Sequence, residues 1–229
     1  MSNKVPKYLQ ELIEQKEGLH LDFKFEVSNY NKIARSLVAF ANTEGGKLLI
    51  GVKDNGKIVG IRSDEELYMI QGAAKLYCRP KISYYFTSWA IGKKSVLEVT
   101  IPKSQSRPHF ALNENGKWRA YIRVKDKNYI ANSVILRVWK NLDNPNRKPV
   151  RIFFRRKEDF LLKFLSNNSY ITFNKIKKLT GLSSQIIEDV LVDLITINVI
   201  EIIFNKQGVP IYTLKENTNI ENILNSHKY

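Results

Sequence analysis

The segment Ala39–Gly56, AFANTEGGKLLIGVKDNG, constrains this chain more than any other stretch. An apolar helical pattern runs through Ile33, Leu37, Val38 and Phe40 to Asn42, and Gly45-Gly46 interrupts it. Leu48-Leu49-Ile50 then forms a continuous apolar run, the signature of a strand covered on both faces. Asp54-Asn55-Gly56 is a tight hairpin signal leading into Ile58-Val59. The order is helix, glycine turn, buried strand, hairpin. Nucleotide-binding glycine loops follow a strand and precede a helix, and the glycine spacing here fits neither the P-loop nor the dinucleotide fingerprint. Asn42, Gly45, Gly46, Gly51 and Gly56 therefore read as structural positions.

Around this segment the pattern is mixed. A helix is predicted from Pro6 to Gln15, and Leu19, Leu21 and Phe23 alternate with polar residues as in a half-buried strand. Ser63 and Glu66 form a capping box for a helix ending before Pro80. Strands are expected over Ile82–Trp89, Ser95–Ile101 and, after a turn at Asn113–Gly116, Trp118–Val124. A short helix over Ser133–Asn141 closes the region. The fold class is α+β, and the expected divisions are a domain over 1–140, a basic linker over 141–157, a second domain over 158–215 and a polar tail over 216–229. In the second domain, helices at Asp159–Leu165 and Phe173–Leu179, a Gly181 turn and a Ser183-capped helix precede a hairpin through Asn205–Gly208. That order resembles a winged helix-turn-helix.

Charge narrows the class of partner. Of 229 residues, 37 are Lys or Arg and 22 Asp or Glu, a net of +15, and such an excess attracts polyanions. Residues 1–140 carry 24 basic against 13 acidic residues, and residues 141–229 carry 13 against 9. Cys78 is the sole cysteine, which excludes an intrachain disulfide and a cysteine-based metal cluster. The reading for it is a small buried hydrophobe. No run approaches the ~18 apolar residues of a membrane span, and Met1–Lys7 lacks the apolar core of a signal peptide. A cytoplasmic location is the expectation.

Phe40-Ala41-Asn42-Thr43 with Gly45-Gly46, then Ile50-Gly51-Val52 and Asp54, resembles the Schlafen AlbA-like domain family. Leu21-Asp22-Phe23-Lys24 and Tyr121-Ile122-Arg123-Val124 with Asn128 fit the same pattern, over roughly residues 11–140. The resemblance implies a mixed sheet with packed helices and a nucleic-acid-binding role, as in bacterial DNA-binding or transcriptional regulators. It also implies an alternative. Some animal members cleave structured RNA, such as tRNA, with three carboxylates and Mg²⁺ or Mn²⁺, and the matching positions are Glu17, Asp22 and Asp54. The family pattern has Glu, one methylene longer, at Asp22. Lys24 shares a strand face with Asp22 and is placed to meet a phosphate. The competing reading gives Asp22 to an ion pair with Lys24 or an Arg, and Asp54 to the hairpin.

Candidate nucleic-acid contacts are Lys93, Lys94, Lys103, Arg107, Lys117, Arg119, Arg123, Lys125 and Lys127 in the first domain, interleaved with Trp118 and Tyr121. The second domain adds Lys175, Lys177, Lys178 and Lys206. Its third helix presents Ser183, Ser184 and Gln185 but also Glu188, Asp189 and Asp193, which disfavours reading of a major groove. A non-catalytic assembly or sensor module, dimerising or binding protein through that helix, is a further expectation.

Overall fold

A computed structural model describes residues 4–146, 156–205, 207–216 and 218. The chain divides into two compact units, Met1–Ala131 and Asn132–Tyr229. No helix among the described residues is long and apolar enough to cross a membrane.

The first unit is built on a mixed four-stranded sheet. Helix α1 (Lys7–Glu14) leads to β1 (Leu21–Lys24), then α2 (Tyr30–Asn42), β2 (Gly46–Ile50), α3 (Glu65–Leu76) and β3 (Cys78–Arg79). Strands β4 (Tyr85–Ile91) and β5 (Lys94–Ile101) form a hairpin. The sheet order is β1-β2-β5-β4, parallel between β1 and β2 and antiparallel elsewhere. As the apolar run predicts, Leu48, Leu49 and Ile50 are fully buried: Leu48 and Ile50 join the core beneath α2 and α3, and Leu49 joins the cluster under α1. Each such side chain contributes about 1.5–3 kcal/mol by burial.

Local chemistry sets the boundaries. Asn29 caps α2 by accepting the Lys32 N–H at 3.0 Å. Glu66 accepts the N–H groups of Arg62 and Ser63, the reciprocal half of the predicted capping box. Gly46 is required by close approach. A Cβ there would enter the Phe40 ring and lie 2.8 Å from the His20 carbonyl oxygen.

The run Trp118–Val124 is two strands, not one. β6 (Phe110–Leu112) pairs with β3 and with β7 (Trp118–Arg119), whereas β8 (Tyr121–Val124) pairs with β9 (Lys127–Ile130). Ala120 separates the two pairings and holds Ala131 N–H at 2.9 Å. Strand β4 likewise begins at Tyr85 rather than Ile82, whose side chain is in the core.

The second unit begins with α4 (Ser133–Leu142), followed by α5 (Arg156–Asn167), α6 (Phe173–Thr180), α7 (Ser184–Thr196) and the hairpin of β10 (Ile200–Phe204) and β11 (Pro210–Leu214). Helix α4 does not close the first unit. Val134 and Val138 join the cluster of Leu162, Leu191 and Tyr212. Thr172 and Ser183 cap α6 and α7, and Gly181 ends α6 at φ 65°. Of the basic connector, residues 147–155 lie outside the described residues.

Candidate nucleic-acid interface

Strand β1 delivers Asp22 and Lys24 to one edge of a groove that α2 and the β8–β9 hairpin complete. The groove encloses about 420 Å³ and is lined by Asp22, Lys24, Glu26, Lys32, Arg35 and Lys127, among others. A second hollow of about 180 Å³ shares Lys32 and Arg35 with it and reaches Asn113 and Asn115 in the β6–β7 turn. Helical spacing explains this. Ile33, Ala34, Ser36 and Leu37 are buried, which turns Lys32 and Arg35 to the opposite, exposed face.

Two of the groove's three acids are neutralised. Asp22, 5% exposed, lies 2.6 Å from Lys24 Nζ and 3.3 Å from Arg123 Nη2. Asp22 Oδ2 makes no well-directed hydrogen bond, so Lys24 acts on it as a point charge. Glu26 pairs with Arg62 at 3.1 Å. Lys32, Arg35 and Lys127 remain exposed beside Asp126. The arrangement offers cations to an anionic ligand.

Arg123 is not a surface contact. It is 2% exposed, and its guanidinium donates to the carbonyls of Gly18 (2.8 Å) and Leu21 (3.0 Å) and to Asn128 Oδ1 (3.1 Å). It also stacks 4.5 Å from the Phe40 ring centroid. A buried cation must be paired, and Asp22 supplies the charge. Tyr121 is buried as well, while Trp118 is half-buried under the Arg79 guanidinium at 4.3 Å.

The remaining predicted contacts are scattered. Lys93, Lys117, Arg119, Lys125 and Lys127 are exposed on or beside hairpin turns. Lys94 donates to the Ile58 carbonyl, Lys103 pairs with Glu44 at 3.0 Å, and Arg107 lies half-buried with Nη1 3.5 Å from the Asn42 carbonyl. Lys175, Lys177 and Lys178 are exposed on α6, and Lys206 lies outside the described residues. Lys32 and Arg35 are not among the contacts expected from sequence, although their spacing on α2 was the available signal.

Glu17 accepts the Phe23 N–H at 2.8 Å, and burial together with the adjoining Asp22 carboxyl raises its pKa. Asp54 is exposed in the turn after β2. Among the described residues no three His, Cys, Asp or Glu side chains are grouped to hold a metal ion. With Asp22 already held by Lys24 and Arg123, these residues do not fit a three-carboxylate Mg²⁺ or Mn²⁺ site.

In the second unit, Arg137 of α4 lies 2.6 Å from Asp189 and 3.7 Å from Glu188, and Ser133 donates to Glu188. These two acids of α7 are therefore turned to α4.

The DIP2311 protein of Corynebacterium diphtheriae is 17% identical with a TM-score of 0.45; the match covers 65% of this chain and 34% of that one, so the chain spans about a third of its length. The N-terminal domain of a DNA helicase RecG-related protein of Nitrosomonas europaea is 18% identical with a TM-score of 0.34, over 68% of this chain and 93% of that one. At such scores neither likeness bears on function. The family model described as Schlafen, AlbA_2 matches residues 17–132, from the Glu17–Asp22 pair through the whole groove to the last strand of the first unit. The chain belongs to the Schlafen AlbA_2 family.

Proposed function

We propose that this protein binds nucleic acid along the α2 groove and acts as a DNA-binding regulator. The observation that carries this reading is the charge balance of the groove: Asp22 and Glu26 are consumed by ion pairs, while Lys32, Arg35 and Lys127 stay exposed. Family membership supports nucleic acid as the ligand. Cations on a helix face and a neighbouring hairpin suit phosphates spaced along a strand.

From α5 onward the second unit runs three helices and a hairpin, and this order is what supports a winged-helix reading. Pairing of Glu188 and Asp189 with α4 weakens the objection that α7 is too acidic to approach DNA. Asn174, Lys175 and Lys178 of α6 and Ser184 and Gln185 of α7 are exposed and supply phosphate or base-edge donors. The same pairing engages two of the three acids, Glu188 and Asp189 but not Asp193, that motivate a protein-binding α7. The endoribonuclease alternative rests on the family resemblance and gains nothing from the carboxylate arrangement.

The test is equilibrium binding of the full chain to short duplex DNA and to a folded RNA hairpin at low and moderate salt. Binding that weakens steeply with salt is expected, with duplex DNA preferred. Preference for RNA would replace the regulator reading. No binding to either would remove the proposal.

A further inference from the structure

The loop between β5 and β6 walls a separate cavity of about 270 Å³, lined by Lys81, Ser83, Ser104, Ser106 and His109 among others. It has no lining residue in common with the α2 groove.

His109 is 5% exposed and clamped by the motif residue Asn42, which accepts the His109 N–H at 2.8 Å and donates to its carbonyl at 2.9 Å. The imidazole bridges two oxygens. Nδ1 lies 2.9 Å from the Pro80 carbonyl and Nε2 lies 2.7 Å from Ser104 Oγ. A carbonyl only accepts, so Nδ1 carries the proton and Nε2 presents its lone pair to the Ser104 hydroxyl. Burial lowers the His109 pKa, against a smaller opposing effect of the Pro80 carbonyl, and keeps the ring neutral. The Ser106 N–H points at Ser104 Oγ from 3.1 Å, and the Ser104 N–H is fixed on the Ala41 carbonyl at 2.8 Å. Nucleophile, base and orienting group are thus in hydrogen-bond sequence.

We propose that Ser104 is a nucleophile served by His109 as general base, with the Pro80 carbonyl orienting the imidazole, and that the cavity takes a small anionic acyl ester. The choice of an anion follows from Lys81 on the wall. Ser104 Oγ attacks the ester carbonyl carbon as its proton passes to His109 Nε2. The carbon–oxygen bond to the alcohol breaks, and the alcohol leaves with that proton. Water then gives a proton to Nε2 and adds to the acyl carbon. Ser104 Oγ departs with the proton restored, and the carboxylic acid is released. Through both halves the Ser106 N–H, 3.1 Å from Ser104 Oγ, helps to position that oxygen.

The experiment is labelling of the full chain with a fluorophosphonate, with the adduct located by peptide mass spectrometry. One adduct is expected, on Ser104, while Ser83 and Ser106 of the same cavity stay unmodified. Ser104→Ala abolishes it, and His109→Gln slows it by about 100-fold or more. No adduct in the folded wild type, equal modification of the three serines, or an unchanged rate in His109→Gln overturns the proposal. If His109→Gln fails to fold, the selectivity among the three serines of the wild type decides.

Discussion

Arg123 Nη2 lies 3.3 Å from Asp22 Oδ1, and both side chains are almost wholly withdrawn from solvent. The contact ties β8 to β1, and the same guanidinium holds the Gly18 and Leu21 carbonyls. It makes two family positions structural: a basic residue that reads as a phosphate contact becomes the counterion of an acid that reads as a metal ligand. Arg123→Met should destabilise the first unit by about 3–5 kcal/mol, because Asp22 is left buried with only Lys24 beside it. Urea denaturation measures this. A loss under about 1 kcal/mol would show that the pair is dispensable.

Asn42 is a second buried anchor. Its Nδ2 donates to the His109 and Tyr121 carbonyls, and its Oδ1 accepts the His109 N–H. Asn42→Ala leaves three backbone groups unsatisfied and should cost about 3 kcal/mol or more. Asn42→Asp should not rescue it, since a carboxylate cannot donate to the two carbonyls. Chemical denaturation of both variants tests the pattern.

Gly46→Ala should destabilise by about 1–3 kcal/mol, the typical penalty of overpacking. The added methyl must displace the Phe40 ring or widen the gap to His20. A melting temperature equal to wild type would contradict that packing.

His109 gives stability a pH dependence. Burial holds its folded pKa below the ordinary 6.5, so the unfolded chain takes up a proton that the folded chain resists. Its contribution is complete above about 6.5 and is lost as pH falls from there toward the folded value. The wild type should lose more melting temperature between pH 7.5 and 5.5 than His109→Gln does. Equal losses would rule out this origin.

The sequence was most legible where local chemistry and tertiary packing agree. Leu48-Leu49-Ile50 reads as a strand covered on both faces because every residue of the run is apolar, and all three are buried. Ser63 and Glu66 mark the start of α3 because capping is local. Cys78 is buried as its composition implies, with its thiol pushed up to about 12. The break at Ala120 was illegible, since Trp118–Val124 has unbroken β propensity and only partner choice divides it. Charge was the least legible property. Lys24 and Asp22 share a strand face, so their pairing was readable as an alternative, but Arg123, Lys103 and Arg137 look alike on paper, and the fold picks out Asp22, Glu44 and Asp189 for them. Lys32 and Arg35 were legible only through helical spacing, because they stand singly among the apolar residues of α2 rather than in a basic cluster.

The most direct test of the α2 groove is the salt dependence of nucleic-acid binding by Lys32→Ala/Arg35→Ala, set beside wild type and Lys175→Ala/Lys178→Ala. Both substituted side chains of the groove variant are exposed, so the fold is retained. The account predicts weaker binding and a slope of log K against log salt shallower by about 2, one for each phosphate no longer neutralised. Unchanged affinity and slope in a folded groove variant would contradict it.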